Sequence, residues 1–378
     1  MTNHSAALTE PIPFLDLSHV HEGVKDSILE DMAALIDTNR YINGPAVSEF
    51  EAAFATYCGT AHCAGVSSGL DALRLILIAT AISPGDEVIV PANTFVATIE
   101  AVTQAGARPV LVDASEDDFN LDVAAVDAAV TNSTRFLLPV HLYGQMADMR
   151  ALHEVAARHD VRIIEDACQA HGAERDGLRA GAAGSAAAFS FYPGKNLGAM
   201  GDAGAVVSDD YEVVSIVRAL REHGQRAKYH HELEGYTARL DTIQAIVLLH
   251  KLPLLDACND ARRDVAAAYA NALTGVGDLV LPQIAEGSSP VWHLYVVRTA
   301  DPNALAAHLA ERGVGAGRHY PQPVHMTEAY RSLGYHAGAF PVSERLAREV
   351  LSLPIFPGMT EAQVGWVADA VSDFFRRA

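Results

Sequence analysis

The chain has 378 residues, about half of them hydrophobic, with 47 acidic against 27 basic side chains and a formal net charge of −20. That balance excludes a general nucleic-acid or anionic-membrane partner, since both need a basic footprint, and the length predicts two domains with a sizeable core. Cys58, Cys63, Cys168 and Cys258 form no CxxC pair and no dense framework, which predicts reduced thiols in a cytoplasmic protein and no metal site. The first ten residues carry neither the basic nor the apolar region of a signal peptide. No apolar run reaches the roughly 18–20 residues that span a bilayer.

Apolar residues at helical spacing (Val47, Phe50, Ala53, Phe54, Tyr57) predict a helix over 46–57 that ends near Gly59. A short strand over 64–66 leads through Ser67, Ser68 and Gly69 into a helix over 70–81, interrupted by Arg74 and Thr80 and so read as a core helix. Strands follow at 87–90, 109–112, 136–140 and 161–164, with helices after residue 95 and over 148–159. This alternation from about residue 60 to 220 predicts an α/β fold with a mostly parallel sheet covered on both faces. Residues 241–273 read as one long helical connector broken near Pro253. Beyond it, a strand over 292–297 and helices over 303–312 and from 361 predict a smaller α+β domain. The predicted division is 1–250 for the large domain and 251–378 for the small one.

Residues 187–192 read as a buried strand closed by Pro193 and Gly194, which delivers Lys195 to the carboxyl edge of the sheet, where α/β proteins bind ligands. The strand before it ends in Asp166. A strand-end lysine and a strand-end carboxylate suit pyridoxal phosphate: the amine forms the imine and the carboxylate keeps the pyridine nitrogen protonated. Ser67, Ser68 and Gly69 at a helix start offer a phosphate seat. Alone, each feature has a plainer reading: a loop lysine, an N-cap serine, a core phenylalanine at Phe95, a polar helix residue at Gln169, a strand serine at Ser190. Their joint order carries the argument.

That order resembles the fold-type I pyridoxal phosphate enzymes, and more narrowly the DegT/DnrJ/EryC1/StrS sugar aminotransferases over nearly the whole chain. The matching segments include residues 65–73 (GVSSGLDAL), 92–98 (ANTFVAT), 140–145 (VHLYGQ), 164–172 (IEDACQAHG), 189–198 (FSFYPGKNLG) and 239–245 (RLDTIQA), then 319–321 (HYP) with His325. The resemblance implies a homodimer with active sites at the subunit interface. It implies that Lys195 binds the cofactor covalently and shuttles the proton, Asp166 pairs with the ring nitrogen, Phe95 stacks on the ring and Gln169 contacts the 3-hydroxyl. Ser67, Ser68, Gly69 and Ser190 would hold the phosphate. Thr237 stands where the family carries an Asn that reaches the neighbouring subunit's phosphate.

The resemblance further implies an amino-acid donor, L-glutamate, and a nucleotide-linked keto-deoxysugar acceptor. The wording sits nearest the members acting at C3 of dTDP-3-keto-6-deoxyhexoses. Members acting at C4 or on inososes, a non-catalytic regulator keeping the fold, and a dehydratase, in which His replaces the lysine, are the alternatives. Tyr192, Lys228, Tyr229, Arg239, His319, Tyr320 and His325 are the expected sugar and nucleotide contacts. Arg226, Lys228, His230 and His231, together with Arg318, are either the cations for a pyrophosphate or a solvated basic face.

Overall fold

The computed structural model describes residues 10–377; the stretch 1–9, where the absence of a signal-peptide pattern was read, and residue 378 lie outside it. Seven strands build the central sheet: β1 (His62–Val66), β2 (Glu87–Pro91), β3 (Arg108–Val112), β4 (Thr134–Leu137), β5 (Arg162–Asp166), β6 (Ala186–Ser190) and β7 (Gly204–Ser208). Their order is β1-β7-β6-β5-β4-β2-β3. From β6 to β3 every neighbour is parallel, whereas β7 runs antiparallel to both β6 and β1. The near-continuous apolar runs of β2 and β6 fit strands buried on both faces.

Helices fall close to their expected places, at Pro45–Cys58, Gly69–Ala79, Val96–Gln104 and Met149–His159. The first ends at Gly59, whose φ of 77° is the left-handed conformation of a helix C-cap. β4 stops three residues short of the predicted end. Pro139 has no N–H for the ladder, although its carbonyl accepts from Asp166 N at 2.9 Å and Val140 resumes contact with Asp166. β7 is not among the predicted elements: with two residues of five Gly or Ala and a length of one short strand, its identity comes from pairing.

The connector comprises Thr242–Lys251, a tight turn at Leu252–Leu254 and Leu255–Leu273, broken at Pro253 as predicted. A separate core cluster lies beyond it, built by Tyr269, Leu305, Leu309, Leu351 and Val367, and Ile12 joins it from the start of the chain. There Tyr295–Arg298 pairs antiparallel with Val350–Leu353. The predicted strand start at Trp292 shifts to Tyr295, because Trp292 has a φ of 46°, outside the extended region. No helix among the described residues is long and apolar enough to cross a membrane.

Candidate active site

The carboxyl ends of β5 and β6 meet the start of the helix Gly69–Ala79 at a cavity of about 300 Å³. Ser68 caps that helix: its backbone is extended, and its Oγ accepts from Asp71 N at 3.1 Å. Ser67 Oγ bonds the Asp71 carboxylate, which also pairs with Arg74. A Cβ on Gly69 would meet Cys168 Sγ and Ser190 Cβ, each at 2.7 Å. Only glycine lets the helix begin this close to β6, and the free N–H groups there favour an anion. Ser190, at the end of β6, turns its Oγ toward the same cavity and accepts from Tyr192 N at 3.3 Å.

Asp166 is the last residue of β5 and is buried. Its Oδ2 accepts from Thr98 Oγ1 at 2.8 Å and its Oδ1 from Cys168 N at 3.2 Å, while Thr94 and Thr98 share a hydroxyl bond of 2.8 Å. The preceding residue, Glu165, points to the other face of the sheet. There its carboxylate accepts from the backbone N–H groups of Gly181, Ala183 and Gly184 at 2.6–2.9 Å, and His141 Nε2 lies 2.8 Å from it. His141 Nδ1 accepts from Ala147 N, so Nε2 carries the hydrogen and donates to Glu165. The strand end that presents Asp166 is therefore pinned from both faces.

Lys195 follows a turn closed by its own N–H on Tyr192 O at 2.8 Å. Burial holds its amine below the ordinary lysine value, against the smaller upward pull of Cys168 and Asp166. The imidazoles around it are kept uncharged: burial, and then the Lys195 charge, depress His171 to about 3, His319 to about 4 and His293 well below 6.5. Gln169 Oε1 accepts from Tyr143 N at 2.7 Å, and its Nε2 donates to Tyr320 Oη at 3.2 Å. Phe95 is half exposed at the mouth, with its ring centroid 5.5 Å from that of Tyr320. A second cavity of about 350 Å³ shares Phe95, Tyr192, Lys195 and Tyr320 and adds His293 and His319.

This arrangement has a counterpart among known proteins. The sequence profile of the DegT/DnrJ/EryC1/StrS aminotransferase family matches residues 23–372. The chain belongs to this family. It is 48% identical to the dTDP-3-amino-3,4,6-trideoxy-alpha-D-glucose transaminase of Streptomyces venezuelae over 99% of this chain and 98% of that one. It is 43% identical to a pleiotropic regulatory protein of Geobacillus stearothermophilus over 97% of this chain and 99% of that one. Its fold superposes on S. venezuelae DesV, solved in complex with a ketimine intermediate, with a TM-score of 0.95 at 48% identity, covering 98% of this chain and 100% of that one.

Of the residues expected at the aminotransferase site, Ser68, Gly69, Phe95, Asp166, Gln169, Ser190, Tyr192, Lys195 and Tyr320 line the first cavity, and His319 lines the second. His325 does not: it is 2% exposed, packs edge-on against Phe340 and bonds Glu344 at 3.1 Å, so within its own chain it ties the segment around Val324 to the helix Pro341–Glu349. Lys228 and Tyr229 sit on the exposed hairpin joining Gln225–Ala227 to His230–His231. Arg239 is tied to Glu222 at 3.0 Å, and Thr237 is exposed with its hydroxyl 3.2 Å from His223 Nε2. These four lie outside their own chain's cavity.

Two of the expected pyrophosphate cations are also committed elsewhere. Arg226 pairs with Glu232 and Glu212, and Arg318 donates to Asn303 and to the carbonyls of Ala347 and Arg348. Thr98, Cys168 and Asp202 line the site without having been singled out. No helical spacing points to Thr98, since its hydroxyl partner Thr94 lies before the helix Val96–Gln104 that carries it.

Proposed function

We propose that this aminotransferase uses pyridoxal phosphate to move an amino group from an amino acid, L-glutamate, to a nucleotide-linked keto-deoxysugar, at C3 of a dTDP-3-keto-6-deoxyhexose. The observation that carries the reading is one cavity holding a desolvated Lys195, a hydrogen-bonded Asp166 carboxylate and a glycine-lined helix start. These residues fit the cofactor: Gly69 brings the helix start against Cys168 and Ser190, where a Cβ would lie 2.7 Å from each, and leaves its N–H groups open to a phosphate.

When bound, pyridoxal phosphate supplies the electron sink for the pair left at Cα. The protein's part is proton management and position. Asp166, held by Thr98 and the Cys168 N–H, would hold the ring nitrogen of the cofactor and keep it protonated. Lys195 Nζ, its proton affinity lowered by burial, would take the Cα proton and return it to the carbon on the other side of the transferred nitrogen. Ser68, Gly69 and Ser190 hold the phosphate, while Phe95 and Tyr320 close the mouth. Burial makes His171, His293 and His319 weak bases, which leaves Lys195, among the described residues, to carry that proton.

Thr237, Lys228, Tyr229 and Arg239 are proposed to serve the site of a second copy in a cytoplasmic homodimer. The exposed apolar residues Ile36, Tyr41, Ile42 and Met200 supply a surface for that pairing. The test is to convert the protein to its pyridoxamine form and add 3-keto and 4-keto dTDP-sugars in turn. Return of the aldehyde-form spectrum with the 3-keto sugar alone is expected; return with a 4-keto sugar alone would move the chemistry to C4. A regulatory role is favoured by the G. stearothermophilus relative's name. It predicts no amino transfer in a single turnover with any of these sugars.

A further inference from the structure

Lys251 and Arg262 are 5% and 2% exposed, and neither forms an ion pair with a carboxylate among the described residues. Their bonds go to carbonyls: Lys251 Nζ donates to Gly198 O at 2.7 Å, and Arg262 Nη1 to Trp292 O at 3.2 Å and Ile355 O at 2.8 Å. Arg262 Nε is buried with no partner at all. Two formal charges removed from water without a counter-charge are costly. Burial accordingly pulls Lys251 down to about 8 and Arg262 to about 10.

Among the described residues, nothing nearby supplies the missing negative charge. Burial raises the Cys258 thiol, keeping it protonated, and His21, which feels the Lys251 charge, is itself a neutral or positive group. Cys258 and Arg262, four residues apart, share one face of the helix Leu255–Leu273, and Lys251 ends the helix before the turn at Leu252–Leu254. Both cations line a cavity of about 20 Å³, together with Lys195, Leu17, Pro193, Asn196 and Pro357. That volume holds a single water-sized species and is too small for an oxyanion such as sulfate or phosphate.

We propose that this cavity is a binding site for one halide-sized anion, seated between Lys251 and the Nε of Arg262. The anion ties the connector helix to the loop that carries Lys195, which Lys251 already grips through the Gly198 carbonyl. Lys195 lines this small cavity as well as the cofactor cavity, so the two adjoin across its loop; the proposal itself does not rest on the cofactor assignment.

Crystals of the full chain grown in sodium bromide test it directly. An anomalous bromide peak within hydrogen-bond reach of Lys251 and Arg262 is expected. A water, or a carboxylate of a second copy, in that position overturns the proposal. In solution, the thermal midpoint should be higher by a few degrees in sodium chloride than in sodium gluconate at equal ionic strength. Lys251→Met should abolish the difference; equal midpoints in the two salts for the unaltered protein would contradict the site. Where Lys251→Met does not fold, the bromide crystal of the unaltered protein decides.

Discussion

Asp166 offers its carboxylate to the cavity under the control of two donors, and the Thr98 hydroxyl is the one a substitution removes. A hydrogen bond to a charged group contributes about 1.5–3 kcal/mol. Thr98→Val should therefore weaken cofactor binding by roughly 10-fold or more. Titrating the apoprotein and following the visible band measures this, and Thr98→Ser should restore most of the loss. Unchanged affinity in Thr98→Val would mean that the Cys168 N–H alone fixes the carboxylate. Lys195 and Asp166 were legible because each sits at the end of an apolar strand, a position set by pattern alone. Thr98, Cys168 and the Gln169 bridge to Tyr143 and Tyr320 were not, because they depend on which loops the sheet brings together. His325 misled for the same reason: nothing in its neighbours in sequence announces Glu344 and Phe340.

Glycine marks where elements press on one another. Gly204 opens β7 against the cap of the phosphate-seat helix, and a Cβ there would lie 2.4 Å from the Ser68 backbone, which cannot swing away as a side chain would. Gly204→Ala should lower the thermal midpoint and the cofactor affinity together. Gly365, in the exposed face of the helix Glu361–Arg377, has nothing within 4 Å of its Cβ position. Gly365→Ala should raise stability by about 0.5–1 kcal/mol, read from a urea midpoint. Destabilisation at Gly365, or none at Gly204, would contradict these packing distances. Long periodic elements such as Pro45–Cys58 and the connector were readable from spacing, and Pro253 announced its break. β7 and the shifted start at Tyr295 were not, since pairing with β6 and β1 and the left-handed backbone of Trp292 decide them.

For the molecule as a whole, the α/β class and its mostly parallel sheet followed from strand–helix alternation, whereas the reversed direction of β7 and the packing of Ile12 into the C-terminal cluster are tertiary facts. The buried imidazoles give the whole fold an acid sensitivity. Folded, His171 and His319 take up protons only near about 3 and about 4; unfolded, they do so near 6.5. Between those limits the unfolded chain binds more protons, so stability is full above about 6.5 and is lost as pH falls toward 4. Urea midpoints at pH 7.5 and pH 5 should show the drop. His171→Asn, which keeps a donor for the Ser190 carbonyl without titrating, should show a smaller one; an equal drop would mean His171 titrates normally. The most direct test of the account is to reduce the cofactor-loaded protein with borohydride and map the modified peptide by mass spectrometry. A pyridoxyl phosphate mass on Lys195, absent from Lys195→Ala, is the predicted result. The same mass on another lysine, or none on a protein that still transfers amino groups, would contradict it.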